Sequence, residues 1–202
     1  SLLVILLLGV SLRLYQLDQE SLWTDEAFSL DIAGQSRITA IIEGVAKTEA
    51  APPLYYILLH YWINRGGDSE FSLRSMSVLF GTLSIVVLFL TVRLFFSLRV
   101  ALLSSLFLAT SMLQVLYSQE ARMYGLFTFL SLLSTYFFAR IMEEERKGSA
   151  SSAWYWFYGF SVLAALYTNY MAVFVVILFT LVLFWQKEVY HNIKKKWLIL
   201  HG

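Results

Sequence analysis

Cysteine is absent from the 202-residue chain, proline occurs only twice, and charged residues make up just 14% of it. Without cysteine there are no disulfides and no thiolate metal sites, and nothing ties the chain to a redox compartment. The two prolines, Pro52 and Pro53, are adjacent and punctuate the sequence at a single place. The shortage of charge excludes an ordinary soluble domain, in which roughly a quarter of residues are charged. What fills the chain is apolar: 58% hydrophobic and 17% aromatic residues, with a mean hydropathy of +0.66. This is the composition of an integral membrane protein. The net charge of +1 says little as a total, and no nucleic-acid partner is expected.

A spanning helix needs roughly 20 mostly apolar residues. The segment 73–96 is the clearest candidate, 100–117 follows it after a Ser97-Leu98-Arg99 turn, and 125–141 makes a third. From Trp154 to Trp185 the chain stays apolar, and as one helix this run would measure about 48 Å against a hydrocarbon core of about 30 Å. It is therefore expected to break at Thr168-Asn169-Tyr170 into spans over 150–167 and 170–190. A first span over 1–14 is too short alone, and Trp197 to Leu200 reads as the start of a further apolar helix, so the chain is expected to be the amino-terminal part of a longer protein. A secretory signal fits poorly, since no small-residue cleavage site follows the first apolar run.

The run 51–64, APPLYYILLHYWIN, imitates a span but is interrupted early by His60 and studded with Tyr55, Tyr56, Tyr61 and Trp62. Such aromatics favour the headgroup level. It reads as a surface-lying helix started by Pro52-Pro53 and stopped by Gly66-Gly67. The segment 25–46 reads as a second surface helix, kinked or interrupted at Gly34. The expected fold is an all-α polytopic transmembrane bundle in one domain, 1–202, with an outer loop over 15–72 that carries both surface helices. Under this topology the outer side holds six Lys/Arg against ten Asp/Glu, and the opposite side nine Lys/Arg against four Glu. Basic loops stay cytoplasmic, so Asp25, Glu26 and Glu120 face outward.

Ionisable groups at membrane depth are costly and point to function. The candidates are Asp25 and Glu26 in SLWTDEAFSL, Glu120 and Arg122 in YSQEARMYG, Arg74 at the start of a span, and Asn169 in the polar turn. Each has a plainer reading. Asp25 and Glu26 suit the first turn of a helix, with Thr24 or Asp25 as N-cap; Glu120 and Arg122 suit a helix end; Arg74 suits snorkelling to the interface. His60 suits an interfacial polar residue better than a metal ligand. The run EEERK at 143–147 reads as a solvated cytoplasmic loop, and Lys194 to Lys196 as a topology signal near anionic lipid.

The order of WTDEAFSL, PPLYYILLHYW, LRSMSVLFGTLSIV, YSQEARMYGLFTFLSLLS and LYTNYMAVF resembles the polytopic glycosyltransferases of the GT-C class. Within that class it is similar to the protein O-mannosyltransferase and aminoarabinose-transferase-like branch, glycosyltransferase family 39-like. The resemblance implies transfer of a sugar from a polyprenyl-phosphate donor to a lipid, glycan or protein acceptor. It places the active site on the extracytoplasmic face of a membrane, in this reading a prokaryotic plasma membrane. It matches the family's first-loop acid to Asp25, the general base of an inverting reaction with Glu26 assisting, and the second acidic position to Glu120. The chemistry of such a transfer, which needs positive charge on the departing phosphate, leads to the expectation that Arg122 and Arg74 hold the donor phosphate and that Tyr55, Tyr56, His60, Tyr61, Trp62, Tyr124 and Asn169 line the substrate and lipid groove. Ala51 and Asn169 stand where many relatives carry histidine, which puts a metal site in doubt. A divalent metal ion stays open as a cofactor, with Glu49 close enough in sequence to serve as its ligand.

Two other classes compete. A transporter or flippase for lipid-linked sugars would also gather ionisable residues among helices, but it more often shows internal repeats and broken helices at mid-membrane. A noncatalytic membrane scaffold would keep the fold without the chemistry.

Overall fold

The computed structural model describes residues 1–48, 51–147 and 151–185, and these form ten helices and no strand. They are α1 (Leu2–Leu14), α2 (Thr24–Ala33), α3 (Ile38–Thr48), α4 (Leu54–Gly66), α5 (Glu70–Phe95), α6 (Leu98–Thr110), α7 (Met112–Ser118), α8 (Tyr124–Arg146), α9 (Ser152–Leu166) and α10 (Ala172–Trp185). Two of them, α5 and α8, are long and apolar enough to cross a membrane, and the bent pair α6 and α7 makes a possible third. The apolar helices α1 and α10 run for 13 and 14 residues. With α9 at 15 residues, these three lie within the segments 1–14, 150–167 and 170–190, and α10 is described as far as Trp185.

The two long helices start at the same end and run side by side. Ser77 on α5 donates its hydroxyl to the Arg122 carbonyl just before α8, at 3.3 Å, and Phe80 meets Phe129 with ring centroids 5.5 Å apart. Close approach needs a residue without a side chain. A Cβ on Gly125 would fall 3.0 Å from the Ser77 carbonyl oxygen. At the other end, α8 carries Arg140 paired with Glu144 at 2.6 Å and stacked 5.0 Å over the Trp154 ring.

The expected continuous span over 100–117 is instead broken at Ser111, where α6 and α7 meet at 58°. The cause lies far away in sequence. Arg13, fully buried in α1, donates from Nη1 to the Ala109 carbonyl at 3.0 Å and from Nη2 to Leu108 at 3.4 Å. These are carbonyls at the end of α6 that lose their intrahelical partners where a helix stops. Its Nε donates to Ser118 Oγ at 3.1 Å, so one guanidinium clamps both sides of the bend. Gly81 makes the clamp possible, since a Cβ there would fall 2.1 Å from Ser118 Oγ and 3.1 Å from Arg13 Nε. Gly81→Ala is therefore expected to force α5 and α7 apart and cost about 1–3 kcal/mol. Thermal unfolding in detergent checks this, and an unchanged Tm would contradict the close packing.

Between α1 and α5 the expected pair of surface helices is a set of three. The segment 25–46 divides at Gly34, where the chain leaves α2 and re-enters a helix at Ile38. Ile41 and Val45 of α3 and Ile32 and Ala33 of α2 cover α4, so Tyr55 and Tyr56 are buried in the protein core rather than exposed on a surface helix. The break between α9 and α10 falls where expected, and Leu54 donates its N–H to the Tyr167 carbonyl at 3.0 Å, tying that turn to the start of α4.

Candidate active site

Helix periodicity separates the two neighbouring acids. Successive residues on a helix point about 100° apart, so with Glu26 turned inward Asp25 faces out. The N-cap is Trp23 rather than Thr24 or Asp25, because the Glu26 carboxylate reaches back to accept from the Trp23 N–H at 3.0 Å.

Glu26 is 1% exposed and accepts four hydrogen bonds. Oε1 takes Arg74 Nε at 3.0 Å and the Ala121 N–H at 2.7 Å; Oε2 takes Arg74 Nη2 at 2.8 Å in addition to Trp23. Burial pushes this carboxyl up, but the bonds from Arg74, Ala121 and Trp23 outweigh it and hold the group below the usual carboxylate range. A carboxylate filled in this way has no lone pair left for a substrate proton. Glu26 is a joint between α2, α5 and the turn before α8, which corrects its expected part as an assisting base.

Arg74 is corrected likewise. It donates to Leu17 O at 2.8 Å, Glu20 O at 2.9 Å and Ser21 O at 3.3 Å as well as to Glu26. All five N–H groups of a guanidinium are thereby committed. It holds the 17–21 loop in place and has no donor left for a phosphate.

The remaining charged candidates meet in one cleft of about 350 Å³, lined by Trp23, Thr24, Asp25, Glu26, Tyr117, Glu120, Arg122 and Tyr124. The Asp25 side chain is exposed there, and its carboxylate takes no hydrogen bond among the described residues. Its carbonyl accepts from Arg122 Nη1 at 3.2 Å and from Ser29 Oγ at 3.0 Å, which fixes Arg122 beside it. Arg122 is 7% exposed, and Tyr117 and Tyr124 pack with centroids 4.6 Å apart across the wall. Glu120 is half-buried; burial and the neighbouring carboxylates of Glu26 and Asp25 push its carboxyl up, against the pull of Arg122.

Other expected groove residues lie elsewhere. Tyr55 and Tyr56 are buried in the α4 core. His60 Nδ1 sits 2.7 Å from the Ala33 carbonyl, which can only accept, so Nδ1 carries the proton and Nε2 accepts from Asn64 at 3.0 Å. The Nδ1 bond joins α4 to the end of α2, and the Nε2 bond lies within α4, so both ring nitrogens are engaged by the protein. Trp62 donates to Ser72 O at 2.9 Å, and with Tyr61 it lines a separate apolar cavity of about 560 Å³ between α4 and α5. Asn169 Oδ1 accepts from the Met171 N–H at 2.9 Å in the turn that leads into α10, and Asn169 is not among the residues lining the cleft. Among the described residues no three His, Cys, Asp or Glu side chains group as a metal site. Glu49 lies outside the described residues, as do the Lys194 to Lys196 signal and the Trp197 to Leu200 segment.

Sequence reasoning missed Arg13 and Trp23. No local pattern marks Arg13 for burial, and the available signal for an N-cap at Trp23 was the glutamate three residues on.

The family model Dolichyl-phosphate-mannose-protein mannosyltransferase matches the chain over residues 50–202. The match covers Arg74, Glu120 and Arg122 and begins after Asp25 and Glu26. No curated protein matches the chain, and no solved structure does.

Proposed function

The chain belongs to the dolichyl-phosphate-mannose-protein mannosyltransferase family, and from that premise we propose that its cleft moves a sugar from a polyprenyl-phosphate carrier to an acceptor hydroxyl on the extracytoplasmic face. The family makes it a membrane glycosyltransferase of the GT-C kind. The observation that carries the finer reading is the meeting in one cleft of Asp25 with Glu120 and Arg122, which lie 95 and 97 residues further along the chain.

A sugar linked through phosphate has a leaving group that is stable as an anion at neutral pH, so a base and a cation suffice. Asp25 takes the proton as the acceptor O–H bond breaks, the oxygen bonds to the anomeric carbon, and the carbon–oxygen bond to phosphate breaks with its electron pair leaving on the phosphate. Attack from the face opposite the phosphate inverts the anomeric centre. Arg122 holds the departing phosphate by charge-assisted hydrogen bonds, and Glu120 holds Arg122 and the sugar in position. No step requires Arg74 or Glu26 beyond the scaffold they make.

The test is full-length protein in vesicles with a labelled polyprenyl-phosphate sugar, measuring both carrier phosphate released and sugar transferred. Transfer with release supports an enzyme; movement of the intact donor across the bilayer, or neither event, overturns it in favour of a flippase or a scaffold. Arg122→Lys is expected to raise the donor KM by about tenfold or more, because an ammonium cannot reproduce the planar fork. An unchanged donor KM would remove Arg122 from the phosphate.

A further inference from the structure

The cavity of about 560 Å³ between α4 and α5 shares no lining residue with the catalytic cleft. Its walls change character along α5, a helix long and apolar enough to enter the bilayer. Around the start of that helix stand Arg65, Ser69 and Ser72, and further along the walls are Leu58, Met76 and Phe80. From Ser69 to Phe80 the helix rises about 16 Å, close to half of a hydrocarbon core of about 30 Å. The space is therefore polar at the headgroup level and apolar through the depth of one leaflet. Tyr61 and Phe71 stand exposed at its rim, as aromatic rings do at a membrane interface.

The polar end has donors to spare. Ser69 accepts the N–H groups of Ser72 and Leu73, and those of Glu70 and Phe71 remain at the positive end of α5. Ser72 is 6% exposed, and its hydroxyl takes no hydrogen bond among the described residues. A buried hydroxyl in that state calls for a partner from outside the chain. Gly66, which also lines the cavity, has no side chain to cover it; a Cβ there would fall 2.8 Å from the Ser72 hydroxyl oxygen. Arg65 is exposed and spends one N–H on the Tyr61 carbonyl of its own helix, at 3.4 Å, which leaves most of its donors for a ligand.

These groups suit an oxyanion with an apolar tail, as a phosphate on a diacylglycerol is. The surrounding charge is not simply positive. Asp68 and Glu70 flank the same end of the cavity in sequence, and neither takes a hydrogen bond or a close ion pair among the described residues. A purely anionic head would meet two carboxylates there, whereas a head that carries an ammonium beside its phosphate finds an opposite charge for each. The carbohydrate carrier has no such ammonium, and its phosphate has its counter-charge in the cleft.

We propose that this cavity binds one glycerophospholipid with an ammonium-bearing head. The phosphate lies on Arg65 and the start of α5, the ammonium faces Asp68 and Glu70, and one acyl chain follows Leu58, Met76 and Phe80 into the leaflet. The lipid then fills the space between α4 and the first long helix.

The test titrates full-length protein in detergent with dioleoyl-phosphatidylethanolamine and, separately, with dioleoyl-phosphatidylglycerol, and counts bound lipid by native mass spectrometry. Arg65→Gln removes an exposed side chain whose described bond lies within its own helix, so the fold is expected to survive. The expected result is one phosphatidylethanolamine bound in preference to phosphatidylglycerol, with its Kd raised about tenfold in Arg65→Gln, as for the loss of one charge-assisted contact. Asp68→Asn combined with Glu70→Gln should abolish the preference between the two lipids. Wild-type affinity in Arg65→Gln, tighter binding of phosphatidylglycerol, or no lipid bound by the full-length protein overturns the proposal. Displacement of the bound lipid by a polyprenyl phosphate, with a raised donor KM in Arg65→Gln, overturns it in favour of a groove for the carrier. Lipid binding is read without turnover, so failure of the glycosyl-transfer reading leaves it standing.

Discussion

Asp25→Asn is expected to lower sugar transfer by about 10²–10⁴-fold, the range for loss of a general base, with no change in thermal stability beyond about 0.5 kcal/mol. The two halves of this expectation have separate causes. The Asp25 carboxylate is exposed in the cleft and takes no hydrogen bond from the described residues, so the fold gives up only its interaction with the positive end of α2 when its charge is removed. Only its carbonyl is engaged, by Arg122 and Ser29, and that survives the substitution. An amide of the same shape cannot accept the acceptor's proton. Wild-type turnover in the variant, with insertion and yield checked, would remove Asp25 as the base.

Glu26→Gln is expected to give the opposite pattern, with loss of folded protein of about 3–5 kcal/mol, the cost of breaking a buried ion pair by removing one partner. Four donors converge on the Glu26 carboxylate, and an amide sets its own N–H group against two of them. The guanidinium of Arg74 is left buried beside a neutral group, and the 17–21 loop, the start of α2 and the turn before α8 lose their common anchor. Protein yield and Tm in detergent measure this, and a stable Gln variant would contradict the anchoring role. The same carboxylate gives a pH signature. Its folded value is held below the usual range, so its contribution is complete above that range and is lost as pH falls through the folded value. Wild-type protein should therefore lose stability on acidification, and the Gln variant should lose the part of that dependence due to Glu26.

These contrasting outcomes mark where sequence reading stops. The pair Asp25-Glu26 shows as two equivalent acids; which one turns inward is a matter of helix phase, and phase is set by Arg74 far along the chain. Arg74 read as a charge at the start of a span, where snorkelling is the ordinary fate, and Arg13 stands likewise near the end of the first apolar run. Each is instead buried because a helix end or a loop presents several carbonyls to it, and no local pattern encodes such a cluster. The break at Ser111 has no proline or glycine to announce it, whereas Asn169 announces the break between α9 and α10 with a polar turn in an apolar run. The aromatics of α4 were legible as amphipathic but not as buried, since the cover comes from α2 and α3. The meeting of Asp25 with Glu120 and Arg122 was legible, because counting basic loops places the first loop and the third turn on one side.

The absence of cysteine allows the most direct test of that meeting. Thr24→Cys and Tyr117→Cys each put one thiol into the cleft. Both single variants should react with a membrane-impermeant maleimide added from outside, and the double variant should be bridged by a short bis-maleimide. Labelling of the two positions from opposite faces of the membrane would contradict the shared extracytoplasmic cleft on which the catalytic reading stands.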